Sequence, residues 1–301
     1  MSPPTRRISV FQEAKAALRN RLIRTMAPLS DRLYREKPRT RVIAIHDISP
    51  SAYEAFEKKM HWLIERFRLV SLNDIEQQSG LDFHRLNVAV TFDDAFKEHA
   101  TFVAPLLTDM GIPATFFIPS GVIGLEGNAA KKFSSQGLRR SRSFEFMNEK
   151  ELKNISQSSL FEIGSHTTDH ADLGVITDEK KLRYEILHDK NTLEGMTGKP
   201  VQRLAFPFGG YRNVSPQALD IIQAAGFRSA FTIVPSFWSR ERNLFLVGRD
   251  SLAVGLEDRI WDGFLRGGYD TFSFLKGRKK LKSVTRHCRM LDSIDKQKLS
   301  D

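Results

Sequence analysis

The chain has 301 residues, 41% hydrophobic and 27% charged, with a formal net charge of +10 and a single cysteine, Cys288. That length can bury a large core as one barrel-like domain or two smaller ones. One cysteine excludes an intramolecular disulfide framework, and no apolar run approaches the roughly 18 residues a membrane span needs.

The positive charge is concentrated at the ends. Residues 1–41 hold 11 Lys/Arg against 3 Asp/Glu and residues 276–301 hold 9 against 3, which leaves 42–275 mildly acidic. A nucleic-acid-binding core would carry the basic charge itself, so no nucleic-acid partner is expected. Three parts follow: a basic N-terminal extension (1–40), a core domain (41–275) and a basic tail (276–301).

In the extension, Phe11, Ala14, Leu18, Leu22 and Met26 recur at helical spacing beside Lys15, Arg19, Arg21 and Arg24. This predicts a basic amphipathic helix, suited to packing on the domain or to peripheral contact with an anionic membrane. No continuous apolar stretch of the secretory type is present, so the expected location is the cytoplasm or the inner face of a membrane.

Residues 41–45 form an apolar strand closing on His46 and Asp47. Residues 51–67 follow as a helix with a stripe of Tyr53, Phe56, Met60, Leu63, Ile64 and Phe67. A short strand is expected at 69–72. The run 88–92, β-branched at Val88, Val90 and Thr91, predicts a buried strand that ends in Asp93 and Asp94. A helix over 96–110 stops at Gly111, and 112–118 is the next strand.

Residues 120–143 are rich in Gly, Ser and basic side chains, including Lys131, Lys132, Arg139, Arg140 and Arg142. They read as a mobile loop and a candidate substrate lid. Asn148 caps a short helix, a strand leads to His166, and 178–196 is helical. Strands at 203–206 and 228–233 flank a helix at 216–225, and 244–252 is the last core strand, carrying Arg249. Such alternation argues for a parallel α/β sheet or barrel.

Three strand ends carry chemistry. Adjacent carboxylates at Asp93 and Asp94 repel each other unless a cation or a shared proton offsets the charge. Strand ends of this kind are where α/β folds gather ligands. His166 and His170, four apart, can present both imidazoles to one metal ion. A helix would put them on one face, whereas the Gly164-Ser165 and Thr167-Thr168 pairs argue for a strand-end loop. A third strand runs into Phe206-Pro207-Phe208-Gly209-Gly210, where glycines let backbone N–H groups approach a ligand closely. Each stretch alone has a bland reading as a strand-end turn or a pair of surface histidines; the three together form a constellation.

The order Thr91-Phe92-Asp93-Asp94, Ser165-His166-Thr167 with His170, then Phe206-Pro207-Phe208-Gly209 resembles the polysaccharide deacetylase family, the NodB-homology or carbohydrate esterase family 4 enzymes. The likeness runs from about residue 41 to about 254. It implies a distorted (β/α) barrel and removal of N-acetyl groups from an amino sugar in a glycan, oligosaccharide or lipid-linked saccharide. It also implies one divalent ion, zinc by expectation, held by Asp94, His166 and His170, with Asp93 as general base. The backbone N–H of Phe208, flanked by Pro207 and Gly209, would stabilise the oxyanion.

The chain departs from the common pattern at Ala205, where many members have Arg, and in the absence of a late Leu-x-His. It is similar instead to the branch typified by poly-N-acetylglucosamine deacetylases. That places the general acid at His46 and has Arg249 orient Asp93. The alternatives are a catalytically inactive glycan-binding relative, a deformylase acting on a lipid-linked amino sugar, a two-His-one-carboxylate iron oxygenase, and a membrane-surface scaffold.

Overall fold

The computed structural model describes residues 39–238 and 243–270. The helix expected over 11–26 and the tail from 276 lie outside the described residues. In chain order the elements are β1 (Thr40–Ile45), α1 (Tyr53–Arg66), β2 (Arg68–Leu69), α2 (Leu72–Gln77), β3 (Asn87–Asp93), α3 (Ala104–Asp109), β4 (Ala114–Ile118), α4 (Gly127–Gln136), α5 (Glu149–Gln157) and β5 (Phe161–Ser165). They continue with α6 (Glu179–Arg183), α7 (Asp189–Thr197), β6 (Arg203–Ala205), α8 (Pro216–Ala224), β7 (Ser229–Phe231), β8 (Asp250–Ser251) and α9 (Asp258–Leu265).

The strands make one sheet in the order β7-β6-β5-β4-β3-β1-β8, with β2 paired to the start of β3. Every pairing is parallel. Val247 bridges Phe231 beyond β7, while β8, three residues later, pairs with β1. One short segment therefore touches both edges of a sheet curled into a half-barrel, the form the expected distorted (β/α) barrel takes here.

β1, β3 and β4 are buried at every position, as strands covered on both faces must be. Phe56 of α1, Phe92, Phe116 and Trp261 of α9 anchor the main core. Each such side chain contributes about 1.5–3 kcal/mol by leaving water.

The structure corrects four expectations. The strand expected at 69–72 stops at Leu69, because Ser71 and Asp74 form a reciprocal cap that starts α2. The loop expected at 120–143 contains α4, with Ala130 and Ser134 buried. Ser134 Oγ donates to the Ala130 carbonyl (2.8 Å) and accepts from the Phe144 amide (3.0 Å), so this segment is a built wall. The last strand shrinks to Asp250–Ser251, preceded by a single 3-10 turn at Leu244–Leu246. On α1, Ile64 falls outside the buried stripe and is exposed. No helix among the described residues is long and apolar enough to cross a membrane.

Candidate metal centre

Because all strands are parallel, their carboxyl ends share one side of the sheet, and the chemistry-bearing residues follow those ends directly. A cleft of about 790 Å³ opens there, lined among others by His46, Asp93, Asp94, His166, His170 and Phe208. Side chains alternate along a strand, so two consecutive carboxylates would normally diverge. Asp94 has left the strand with φ +79, which lets both face the cleft. His166 follows β5, and Thr167 (φ +63) and His170 (φ +53) fold the loop back on itself. The histidines thus meet through a strand-end loop and not along a helix.

The Nε2 atoms of His166 and His170 lie 3.5 and 3.2 Å from Asp94 Oδ1. Ligand atoms of all three residues fall within 4.8 Å of one another, and all three residues are buried. Each imidazole is oriented from behind. His166 Nδ1 donates to the Ala205 carbonyl at 2.7 Å, and His170 Nδ1 donates to the Gly137 carbonyl at 3.2 Å. A carbonyl only accepts, so in the neutral rings both Nε2 lone pairs face Asp94.

Asp94 Oδ1 is itself buried without a hydrogen-bond partner. Three lone-pair donors converging on one point away from water repel each other unless a cation sits among them. The donor set therefore fits a divalent metal, and carbonyl-oriented histidines are what such sites use. The same field favours a proton. Burial opposes charge on His166, yet Asp94 and Asp93 hold its pKa above the usual value. Burial likewise opposes charge on Asp94, while His166 and His170 hold it well below the usual carboxylate range.

Asp93 has a different environment. Arg249 grips it bidentately, Nη1 to Oδ1 at 2.7 Å and Nη2 to Oδ2 at 2.8 Å, with both side chains buried. Arg249 is fixed in turn by the Thr91 hydroxyl (3.0 Å) and the Thr232 carbonyl (3.2 Å). Burial works against the charge on Asp93, but Arg249, His166 and His46 keep its pKa below the ordinary value. His46 Nε2 stands 3.7 Å from Asp93 Oδ2. Its backbone carbonyl accepts from His99 Nε2 at 2.8 Å.

At the third strand end, Phe208 (φ +59) faces the cleft, and its ring packs edge-on to His170 at 4.8 Å. Pro207 and Gly209 are buried and do not line the cleft. Gly209 is required where it stands: its φ is +51, and a Cβ there would lie 2.7 Å from the Ile233 amide nitrogen. Four non-glycine residues with positive φ line the cleft, namely Asp94, Arg139, His170 and Phe208. Such backbone costs about 1–3 kcal/mol per residue and gathers where function over-determines it.

Two positioning residues were missed from sequence. Asp189, at the start of α7, accepts from Ser165 Oγ (2.5 Å), the Ser120 amide (2.7 Å) and the His166 amide (3.2 Å), fixing the exit of β5. Burial raises its pKa to about 6. His99 is buried among Phe92, Phe96 and Phe116. Neither sits within a strand-end motif, and their partners are distant: Asp189 meets Ser165 across 24 residues and His99 meets His46 across 53, so only the folded chain identifies them.

A half-barrel with two buried histidines and a carboxylate at its strand ends defines a candidate metal-binding protein of the parallel α/β class. Residues 82–230 match the family model described as Polysaccharide deacetylase. The chain belongs to the polysaccharide deacetylase family.

It is similar to the Bacillus subtilis protein YxkH, with 21% identity over 178 residues, which span 59% of this chain and 56% of that one. It is also similar to the poly-beta-1,6-N-acetyl-D-glucosamine N-deacetylase of Staphylococcus aureus, 23% identical over 221 residues, 69% of this chain and 71% of that one. Among solved structures, IcaB from Ammonifex degensii superposes with a TM-score of 0.60 at 19% identity, covering 77% of this chain and 98% of that one. The de-N-acetylase of Aggregatibacter actinomycetemcomitans superposes at 0.61 with 18% identity, covering 75% and 99%. These two likenesses support the fold.

Proposed function

We propose that residues 41–275 form a metal-dependent hydrolase that removes N-acetyl groups from an amino sugar in a glycan, oligosaccharide or lipid-linked saccharide. The observation that carries this reading is the unsatisfied Asp94 Oδ1 between two carbonyl-oriented imidazoles, one residue from an arginine-clamped Asp93. Asp94, His166 and His170 would hold one divalent ion, zinc by preference, which when bound supplies a Lewis acid and lowers the pKa of water.

Hydrolysis adds water across the acetamide C–N bond, releasing acetate and an amine. Asp93, kept ionised by Arg249, takes the proton from the attacking water. Arg249 holds both Asp93 oxygens in one plane, so the base meets its proton at a fixed angle. His46, on the same side of the cleft, donates a proton to the departing nitrogen. The backbone amide of Phe208, a cleft-lining residue with left-handed backbone, donates to the developing oxyanion.

The test is acetate release from free and lipid-linked N-acetylhexosamine substrates by metal-loaded protein, with loss on chelation and recovery on adding Zn²⁺. A metal-loaded protein that binds these saccharides and releases no acetate would instead be a glycan-binding relative; formate release from an N-formyl substrate would identify a deformylase. His46→Gln should cut the rate about 10²-fold and flatten the alkaline limb of the pH–rate profile; an unchanged profile removes His46 from the mechanism. The basic termini support peripheral contact with an anionic membrane from the cytoplasmic side, which co-sedimentation with phosphatidylserine vesicles tests.

A further inference from the structure

The wall formed by residues 120–143 carries two cations that the hydrolytic chemistry leaves unused. Arg139 and Arg140 are exposed and line the cleft. The other lining carboxylates are already engaged: Asp93 with Arg249, Asp47 with Arg142 at 2.6 Å, and Asp94 in the candidate metal site it forms with the two histidines. Among the described residues, neither Arg139 nor Arg140 has a carboxylate within ion-pair distance.

These side chains are presented on a fixed backbone. The Gly137 carbonyl holds His170, the Leu138 amide bonds the Phe133 carbonyl at 3.1 Å, and the Arg140 amide bonds the Ser134 carbonyl at 2.9 Å. Arg142 then ties the segment to the loop that carries His46 and Asp47. Arg139 adopts φ +54, and its guanidinium lies 4.2 Å over the Phe208 ring. Stacking uses the face of a guanidinium and leaves its in-plane N–H donors for another partner. Two guanidiniums without a carboxylate partner thus line the cleft, and one of them lies over the Phe208 ring that packs on His170.

Building on the deacetylase reading, we infer that the cleft takes an N-acetylated saccharide bearing a negative charge, as a phosphodiester or a carboxylate. The charge sits on the Phe208 side of the metal ligands, and Arg139 and Arg140 select it. Charge-assisted contacts of this kind raise specificity about tenfold or more.

Three soluble substrates test this: N-acetylglucosamine as its neutral methyl glycoside, as a methyl phosphodiester at C1, and linked to a glucuronate. Full-length protein should favour at least one anionic substrate about tenfold in kcat/KM, and the favoured one names the anion. The preference should shrink as salt rises from about 0.05 to about 0.5 M. The Arg139→Gln/Arg140→Gln double variant should bring the anionic-to-neutral ratio towards 1, and Arg140→Lys should retain most of it. Equal kcat/KM on neutral and anionic substrates, with acetate released from all, overturns this inference and leaves the deacetylase reading standing.

No acetate from any of the three overturns the deacetylase reading. Calorimetric binding of the same ligands then decides the subsite. A tighter anionic ligand whose advantage the double variant loses supports it, and equal Kd values overturn it.

Discussion

Two buried arginines stand at opposite ends of the same sheet, and what surrounds them differs. At the amino end, Arg203 opens β6 and donates to Glu76 through Nε (3.1 Å) and Nη2 (2.6 Å) and to Glu162 through Nη1. Ser229, at the start of β7, adds a bond to Glu76 at 2.6 Å. Arg249 makes an equally complete clamp on Asp93 at the carboxyl end, yet the neighbouring Asp94 keeps a buried oxygen without a partner.

The electrostatics diverge as well. Burial, with Glu76 nearby, raises the Glu162 pKa despite Arg203, whereas at Asp93 the attraction of Arg249 and two histidines prevails over burial. One end of the half-barrel is closed for stability. The other leaves coordination unspent and its carboxylate ionised, as the proposed hydrolysis requires.

Breaking the carboxyl end should cost activity first. Asp94→Asn, His166→Ala or His170→Ala should abolish bound metal by elemental analysis and lower kcat/KM about 10³-fold or more, since several kcal/mol of transition-state stabilisation go with the ion. Asp93→Asn should retain the metal and lose turnover about 10²- to 10⁴-fold. Undiminished metal in all three ligand variants would refute the assignment.

At the amino end the expected pattern inverts. Arg203→Ala leaves two half-buried carboxylates without their cation and should cost about 1–3 kcal/mol of stability by chemical denaturation. Its kcat per folded molecule should stay at the parent value. A metal or kcat deficit in folded Arg203→Ala would erase the contrast between the ends.

The sequence exposed the carboxyl end more fully than the amino end. Asp93, Asp94, His166, His170 and Phe208 each sit in or just after a strand within a short motif, so local reading brings them forward. Arg249 was nominated only as a partner for Asp93. The Arg203–Glu76 pair joins residues 127 apart in sequence, and nothing local to either marks it.

The missed helix α4 shows a different limit. Gly127–Gln136 buries only Ala130 and Ser134, an apolar stripe too narrow to register against its Ser and Lys content. β8 failed for the opposite reason: a two-residue strand exists because β1 and the Val247 bridge to β7 hold it, not because its own residues demand it. Local pattern locates elements that stabilise themselves, and tertiary context supplies the others.

The smallest expected effect concerns His99, where the two roles meet in one side chain. It is fully buried against Phe92, Phe96 and Phe116, and it holds the His46 carbonyl. Burial disfavours its charged form and lowers its pKa from 6.5 to about 4, against the opposing pull of the His46 carbonyl and of Asp94 and Asp93. Between those values the unfolded chain binds a proton that the folded chain refuses. The stability contribution is therefore fully present above about pH 6.5 and is lost as pH falls towards 4, by at most on the order of 3 kcal/mol. His99→Gln keeps a donor for the His46 carbonyl and cannot titrate. Its urea-unfolding free energy should fall less steeply than the parent's over that window, with the two curves converging at low pH. Parallel curves would mean that His99 is protonated in the folded state, and that the pocket behind His46 is wetter than its aromatic walls imply.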